Sequence, residues 1–340
     1  MLLQADASPP PAQQSGTERR AISQLVPHDS FFWVRMVAIT VYATLYIRRF
    51  HTDGLIVDRI SVAISVGIFL LCAFAGKPWR RWGVLVIDAV LYAAMWYAYE
   101  VTRDAASGLG FPLQVQAPRN IDRALFFGYD PNVVLQQHFY HANDIRWYDN
   151  VASVMYYTHF IFPVIALAVV WSISRVQWVR FMRRFASLLG VACLMFVLMP
   201  TVPPWMASST KYHYRLLPPL ARTTGRGFSD LGFHSFVNDW GSALKWGNAV
   251  AAMPSLHAGF ALFVPAFFLP MIKPVWLKAV VMIFPLMMLT SLVYFGEHWV
   301  IDGLVGWALV GASFKFWNWF EARQRNVRAG RARQALGADA

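Results

Sequence analysis

The sequence predicts an all-α, polytopic transmembrane helix bundle, and three observations carry that expectation. The 340-residue chain is 57% hydrophobic and only 14% charged, too little charge to cover a soluble surface. Its apolar residues fall in runs near the roughly 20 residues that a helix needs to cross a hydrocarbon core of about 30 Å. The runs lack the alternation of barrel strands, the other architecture that satisfies backbone polar groups in lipid.

Taken in order, residues 1–30 are polar, contain SPPPAQQSG and lack an apolar h-region. They read as a disordered N-terminal tail without a cleavable signal peptide. Residues 31–99 supply N-terminal membrane helices at Phe31–Ile47, Ile60–Gly76 and Trp82–Tyr99. The first is short and carries Arg35, so an interfacial helix is its alternative. Residues 100–150 form a long connection, and residues 151–320 a membrane core with spans at Val151–Ile173, Phe185–Val202, Ser255–Ile272, Val275–Phe295 and Trp299–Phe320. About eight spans result. Residues 321–340 are expected to be a disordered basic tail. Cys72 and Cys193, the two cysteines, both fall inside predicted spans. No structural disulfide is expected, and a cysteine metal site is excluded by count.

A net charge of +12 raises the question of nucleic acid, but its distribution argues against it. Lys77, Arg80 and Arg81 share one connection; Arg175, Arg180, Arg183 and Arg184 share another; Lys273 and Lys278 follow, and five arginines trail the last span. Counted across the spans, these clusters fall on one side, as the positive-inside rule expects of the cytoplasm. Arg48, Arg49 and Arg59 break the pattern. The remaining connections, Glu100–Asn150, Pro203–Pro254 and the turn Gly296–His298, then face outward. Loops this long are uncommon in a compact bundle unless they cover a site. The first holds YDPNVVLQQHFYHANDIRWYD, and the second opens with PTVPPWM and carries Lys211, Arg215, Arg222, Arg226 and Lys245.

Two short motifs meet on that side. In HWVID, His298 and Asp302 are four apart and share a helix face. A carboxylate on one ring nitrogen fixes the tautomer and leaves the other as a nucleophile or base. A satisfied polar pair near a helix end is the plain alternative. In PSLH, Pro254 suits helix N1 and puts Ser255, Leu256 and His257 in the first turn. Free N–H groups there favour an anion, Ser255 can donate to it and His257 can carry a proton. Simple helix initiation is the alternative. His159, in YYTHFIFP, lies deep in a span, where a substrate role and a bonded core histidine weigh equally.

Together, PSLH and HxxxD resemble the second and third signatures of the type-2 phosphatidic acid phosphatase superfamily of membrane lipid phosphatases and phosphotransferases. The stretches NAVAAMPSLHAGF and PTVPPWM are most similar to its inositol phosphorylceramide synthase-like branch of inositolphosphotransferases, actinobacterial type. The resemblance covers about residues 150–320 and implies a six-helix catalytic core preceded by N-terminal helices. It departs from the pattern in three places. Leu256 replaces a glycine, Pro218 and Pro219 stand where the first signature counted from Lys211 has Arg-Pro, and Leu292 stands where the third has its arginine.

What the resemblance implies is a metal-free, cofactor-free phosphoryl transfer. His298 attacks phosphorus, Asp302 holds its ring, and His257 protonates the departing alkoxide. Ser255, with Arg215, Arg222, Arg226 or Lys211 replacing the missing cations, and His159 as a secondary contact, would hold the substrate. That substrate is a membrane lipid, a phospholipid or polyprenyl phosphate. The acceptor is water, a polyol or a lipid alcohol, and the active site is extracytoplasmic in the cell membrane. The rival readings are a transporter using histidines as a proton relay, and a haem- or quinone-binding membrane protein with His257 and His298 as ligands. GEHW lacks the HExxH spacing of a zinc hydrolase.

Overall fold

The computed structural model describes residues 31–53, 59–105, 108–234, 237 and 250–338. Every regular element among them is helical: α1 (Phe32–Asp53), α2 (Arg59–Phe74), α3 (Trp79–Ala105), α4 (Gln116–Leu125), α5 (Pro131–Phe139), α6 (Trp147–Ile173), α7 (Arg175–Leu198), α8 (Pro204–Ala207), α9 (Arg226–Asp230), α10 (Leu256–Phe268), α11 (Val275–Tyr294) and α12 (Val300–Ala338). The all-helical membrane fold stands.

Among the described residues, five helices are long and apolar enough to cross a bilayer: Trp79–Ala105, Trp147–Trp171, Arg175–Leu198, Val275–Tyr294 and Val300–Gly330. Two shorter apolar helices, Ile64–Phe74 and Leu256–Met271, accompany them. Helix α1 does not join the group. Any stretch of it long enough to span includes Arg48 and Arg49 together with Arg35 or Asp53. The last helix runs on to Ala338 through the tail expected to be disordered. Its Ala-, Arg- and Gln-rich sequence holds strong helix formers and no proline.

The chain divides between Ile87 and Asp88 into two compact units. In the first, α1 packs along α2, the Tyr42 hydroxyl lies 2.6 Å from Ser65 Oγ, and Arg35 donates to the Ala75 carbonyl at 3.0 Å. In the second, α7 turns Phe181, Phe185, Leu188 and Phe196 onto Phe260, Phe263 and Phe267 of α10. Lipid tails are as apolar as these side chains, so close packing rather than water exclusion must hold such helices together. The rings comply: Phe181 meets Phe263 edge-on at 4.9 Å, and Phe185 lies 4.8 Å from Phe260.

Helices α10 and α12 approach through glycine. A Cβ on Gly306 would stand 2.4 Å from the Ser255 carbonyl oxygen, and one on Gly303 would stand 3.4 Å from Ala258 of α10 and 2.3 Å from Leu289 of α11. Trp307 Nε1 closes the contact by donating to the Ala258 carbonyl at 3.0 Å. Further along α12, Asn318 and Glu321 accept from buried Arg184 at 2.8 and 3.1 Å. At 1.5 Å per residue that cluster lies roughly 28 Å from Asp302 along the helix, close to one hydrocarbon thickness.

Candidate active site

Three connections converge where α10 begins. Gln114, Thr201 and Ala251 form isolated parallel bridges, with Val202 N bonded to the Gln114 carbonyl and Thr201 N to the Val250 carbonyl at 3.0 and 2.7 Å. Residues 250–254 thus arrive at the helix already tied down. Pro254 was expected at N1; instead Ser255 is the N-cap, and its hydroxyl oxygen accepts the Ala258 N–H at 3.3 Å. Capping uses one lone pair and leaves the hydroxyl proton free. His257 follows in the first turn. Ser255 N donates to the Asp302 carbonyl at 2.9 Å, which joins the two signatures through the main chain.

His298 and Asp302 meet, but not as two residues on one helix face. The helix starts only at Val300, and Asp302 sits in its first turn. There it accepts the Trp299 N–H at 2.9 Å, while its same oxygen lies 3.4 Å from His298 Nδ1. The carboxylate caps the helix and orients the imidazole together. Nδ1 faces Asp302, which leaves Nε2 to the site.

The two imidazoles come together with ring centroids 5.5 Å apart. His257 also stacks on His159 at 3.9 Å and on Tyr156 at 4.8 Å. Its Nε2 is buried with no hydrogen-bond partner among the described residues, as are His159 Nδ1 and Asp302 Oδ1. Buried polar atoms are ordinarily satisfied, so open atoms gathered around one histidine pair are what a substrate site presents.

The basic candidates separate. Arg222 clamps Glu297, the neighbour of His298, at 2.6 and 3.1 Å, with its guanidinium 4.3 Å over Trp205. Burial works against its charge, but the Glu297 carboxylate outweighs that and raises its pKa. Arg226 is engaged elsewhere: it donates to the His141 and Asp144 carbonyls at 2.7 and 3.0 Å and lies 3.7 Å from Asp149. Arg215 is exposed at a positive φ of 45°, and Lys211 is exposed with its amine over Tyr212. Lys245 lies outside the described residues.

Sequence reasoning missed three residues of the first long connection. Asp122 accepts Val300 N and Ile301 N at 2.7 and 2.9 Å. Asn132 donates to the Val293 and His298 carbonyls at 2.8 and 3.0 Å. Gln136 donates to the Tyr294 and Ala221 carbonyls and accepts Ala221 N, each at 2.8 Å. Burial raises the pKa of Asp122 to about 6 against the pull of its two N–H bonds. The signal available was the i, i+4 spacing of Asn132 and Gln136, which puts both amides on one helix face.

The PAP2 superfamily matches residues 119–316 of this sequence, over half the chain. The chain belongs to the PAP2 superfamily. It is a multi-pass membrane protein and an enzyme of lipid phosphate esters, a lipid phosphatase or phosphotransferase. A phosphoinositol dihydroceramide synthase of Bacteroides thetaiotaomicron is 25% identical over 300 residues, covering 85% of this chain and 93% of that relative. The expected resemblance to the inositol phosphorylceramide synthase-like branch of the PAP2 superfamily is thereby borne out. No solved structure matches the chain.

Proposed function

We propose that the protein is a phosphotransferase that moves a phosphoinositol group from a donor phospholipid to a ceramide-type lipid alcohol through a phosphohistidine. The meeting of His257 and His298 from two helices, with Asp302 behind the second, carries this reading. His298 Nε2 attacks phosphorus in line, the bond to the lipid alkoxide breaks, and His257 protonates the leaving oxygen. The acceptor hydroxyl then gives its proton to His257 and attacks phosphorus, and His298 departs. No metal ion is needed. Histidine suits both roles because one imidazole nitrogen can bond to phosphorus and another can carry a proton. Ser255, the N–H groups opening α10 and Arg222 stabilise charge on the equatorial oxygens. His159 backs the ring of His257. The relative's name supplies the phosphoinositol and the sphingolipid acceptor; water in place of the alcohol would make the same site a phosphatase.

The active site belongs on the extracytoplasmic face. It lies at the ends of α10, α11 and α12 remote from Lys273, Lys278 and the arginines after residue 320, and the positive-inside rule sends those basic ends to the cytoplasm. Cysteines introduced at positions 140 and 230 should react with an impermeant maleimide in intact cells, and one at the exposed position 176 should not. The reverse pattern would move the chemistry inside.

The transfer itself is tested by single-turnover label transfer from ³²P-labelled substrates, in EDTA. His298→Ala should form no labelled protein from any ester. His257→Ala should be slowed by roughly 10²–10⁴ on lipid esters, the contribution of a general acid. It should remain labelled by p-nitrophenyl phosphate, whose leaving group needs no proton. Label on the His298→Ala protein, or zinc-dependent labelling of wild type, would refute the mechanism.

A further inference from the structure

We propose that Asn132 and Asp122 are positioning residues for His298, acting through the main chain of the turn that carries it. The proposal rests on the reading of His298 as the nucleophile.

The turn joins the end of α11 to the start of α12. Gly296 adopts a φ of +69°, open to glycine at little cost. Inside the turn, Gly296 N bonds the Val293 carbonyl and Glu297 N the Leu292 carbonyl at 3.1 and 3.0 Å. Those bonds stop short of His298, whose own carbonyl points back toward the preceding connection. Asn132 is fully buried, and its one amide group donates to Val293 before the turn and to His298 after it. Both amide protons are used, so a single side chain spans the turn and sets its width.

Asp122, also fully buried, acts two and three residues beyond His298. The first N–H groups of a helix lack partners within the helix and attract anions. At α12 these are taken: Trp299 N by Asp302, Val300 N and Ile301 N by the two oxygens of Asp122. His298 is therefore fixed on both sides, at its carbonyl by an amide and just beyond by a carboxylate. Because α12's anion-attracting end is filled by protein, the substrate phosphate is left to the corresponding end of α10 beside Ser255.

The two residues come from a firm base. Arg119 of α4 donates twice to Asp130, the residue before α5, at 2.8 and 2.7 Å. That bidentate pair locks together the helices bearing Asp122 and Asn132. Neither residue need touch the reacting atoms. A displacement of about 1 Å at a catalytic group can cost on the order of 10²-fold in rate, and these bonds remove the freedom for it.

The test uses the full-length protein in lipid nanodiscs. Asn132→Asp keeps the side chain's shape and removes both donors. With fluorescent short-chain phosphatidylinositol and short-chain ceramide, at a temperature well below the thermal midpoint that two orphaned carbonyls should lower, kcat should fall about 100-fold with KM little changed. The rate at which diethyl pyrocarbonate modifies His298, read by mass spectrometry against exposed His213, should change in parallel. Asp122→Asn keeps one acceptor and should show the same pattern at about tenfold, the worth of a single buried hydrogen bond. Retained kcat, or a loss of kcat with unaltered His298 reactivity, overturns the proposal. If Asn132→Asp does not fold, Asp122→Asn decides by the same readings. If wild type turns over neither lipid, the functional reading fails, while His298 reactivity in the variants still decides the positioning.

Discussion

The first long connection brings two amides and a carboxylate to the His298 turn, each bonded to main-chain groups. The second brings arginines, of which Arg222 is held by the carboxylate of Glu297 and Arg226 by two carbonyls and a nearby Asp149. Main-chain partners cannot leave, so the first connection gives fixed geometry. A side-chain ion pair can exchange one anion for another, and the Arg222 side chain keeps 31% of its exposure. On the proposed mechanism, the difference separates residues that hold the nucleophile still from a residue able to meet an incoming phosphate.

Removing the arginines one at a time tests the contrast between the two connections most severely. Arg222→Ala should cost about 2–4 kcal/mol of transition-state stabilisation, as loss of an oxyanion donor does. Arg215→Ala and Arg226→Ala should leave kcat/KM within a small factor of wild type. If Arg226→Ala proves the damaging one, the phosphate lies nearer Asp149 than His298, and the contrast between the connections fails.

The next largest effect concerns stability and pH at Asp122, whose charged neighbours are the carboxylates of Asp302 and Asp130. Its carboxyl titrates at 3.8 when unperturbed and at about 6 in the folded protein. A raised folded pKa means that the unfolded chain releases this proton first. The contribution of Asp122 to stability is then greatest below pH 3.8, declines as pH rises to about 6, and is level above. By linkage that decline is about 3 kcal/mol, and Asp122→Asn should lack it. Thermal midpoints of the two proteins across that window check the sign; a difference that grows with pH would contradict it.

Glu297→Gln should have the smallest effect. Weakening the hold on Arg222 should lower KM for the phospholipid donor by a few-fold with kcat nearly unchanged. A rise in KM would mean that Glu297 orients Arg222 toward the substrate rather than competing for it.

How much of this was legible depended on where each residue finds its partner. Ser255, His257, His298 and Asp302 stood out because their chemistry is packed into short spacings at the edge of apolar runs. The geometry behind HxxxD was harder to foresee, since Asp302 meets His298 from a helix N-terminus rather than along a helix face. Asn132 was beyond reach for a simple reason: its partners are carbonyls 161 and 166 residues away, and any residue type has a carbonyl. The spans were visible as apolar runs, whereas α4 and α5 are too short and too polar to announce themselves. Among the arginines, sequence offered three equivalent choices, and the partners Glu297 and Asp149 distinguish them only in the fold.

The bond from Ser255 N to the Asp302 carbonyl, with Gly306 packed against Ser255, makes the head of α10 a pivot on α12. Bilayers differ in thickness, and helices answer by tilting. Rotation about a joint swings the far ends of two levers and barely moves the ends that share it. His257 lies two residues from this joint in the first turn of α10, and His298 four residues from it in the turn that leads into α12. The 5.5 Å between their rings is therefore set at the joint, and not by the far ends of the two helices where a change of tilt is greatest.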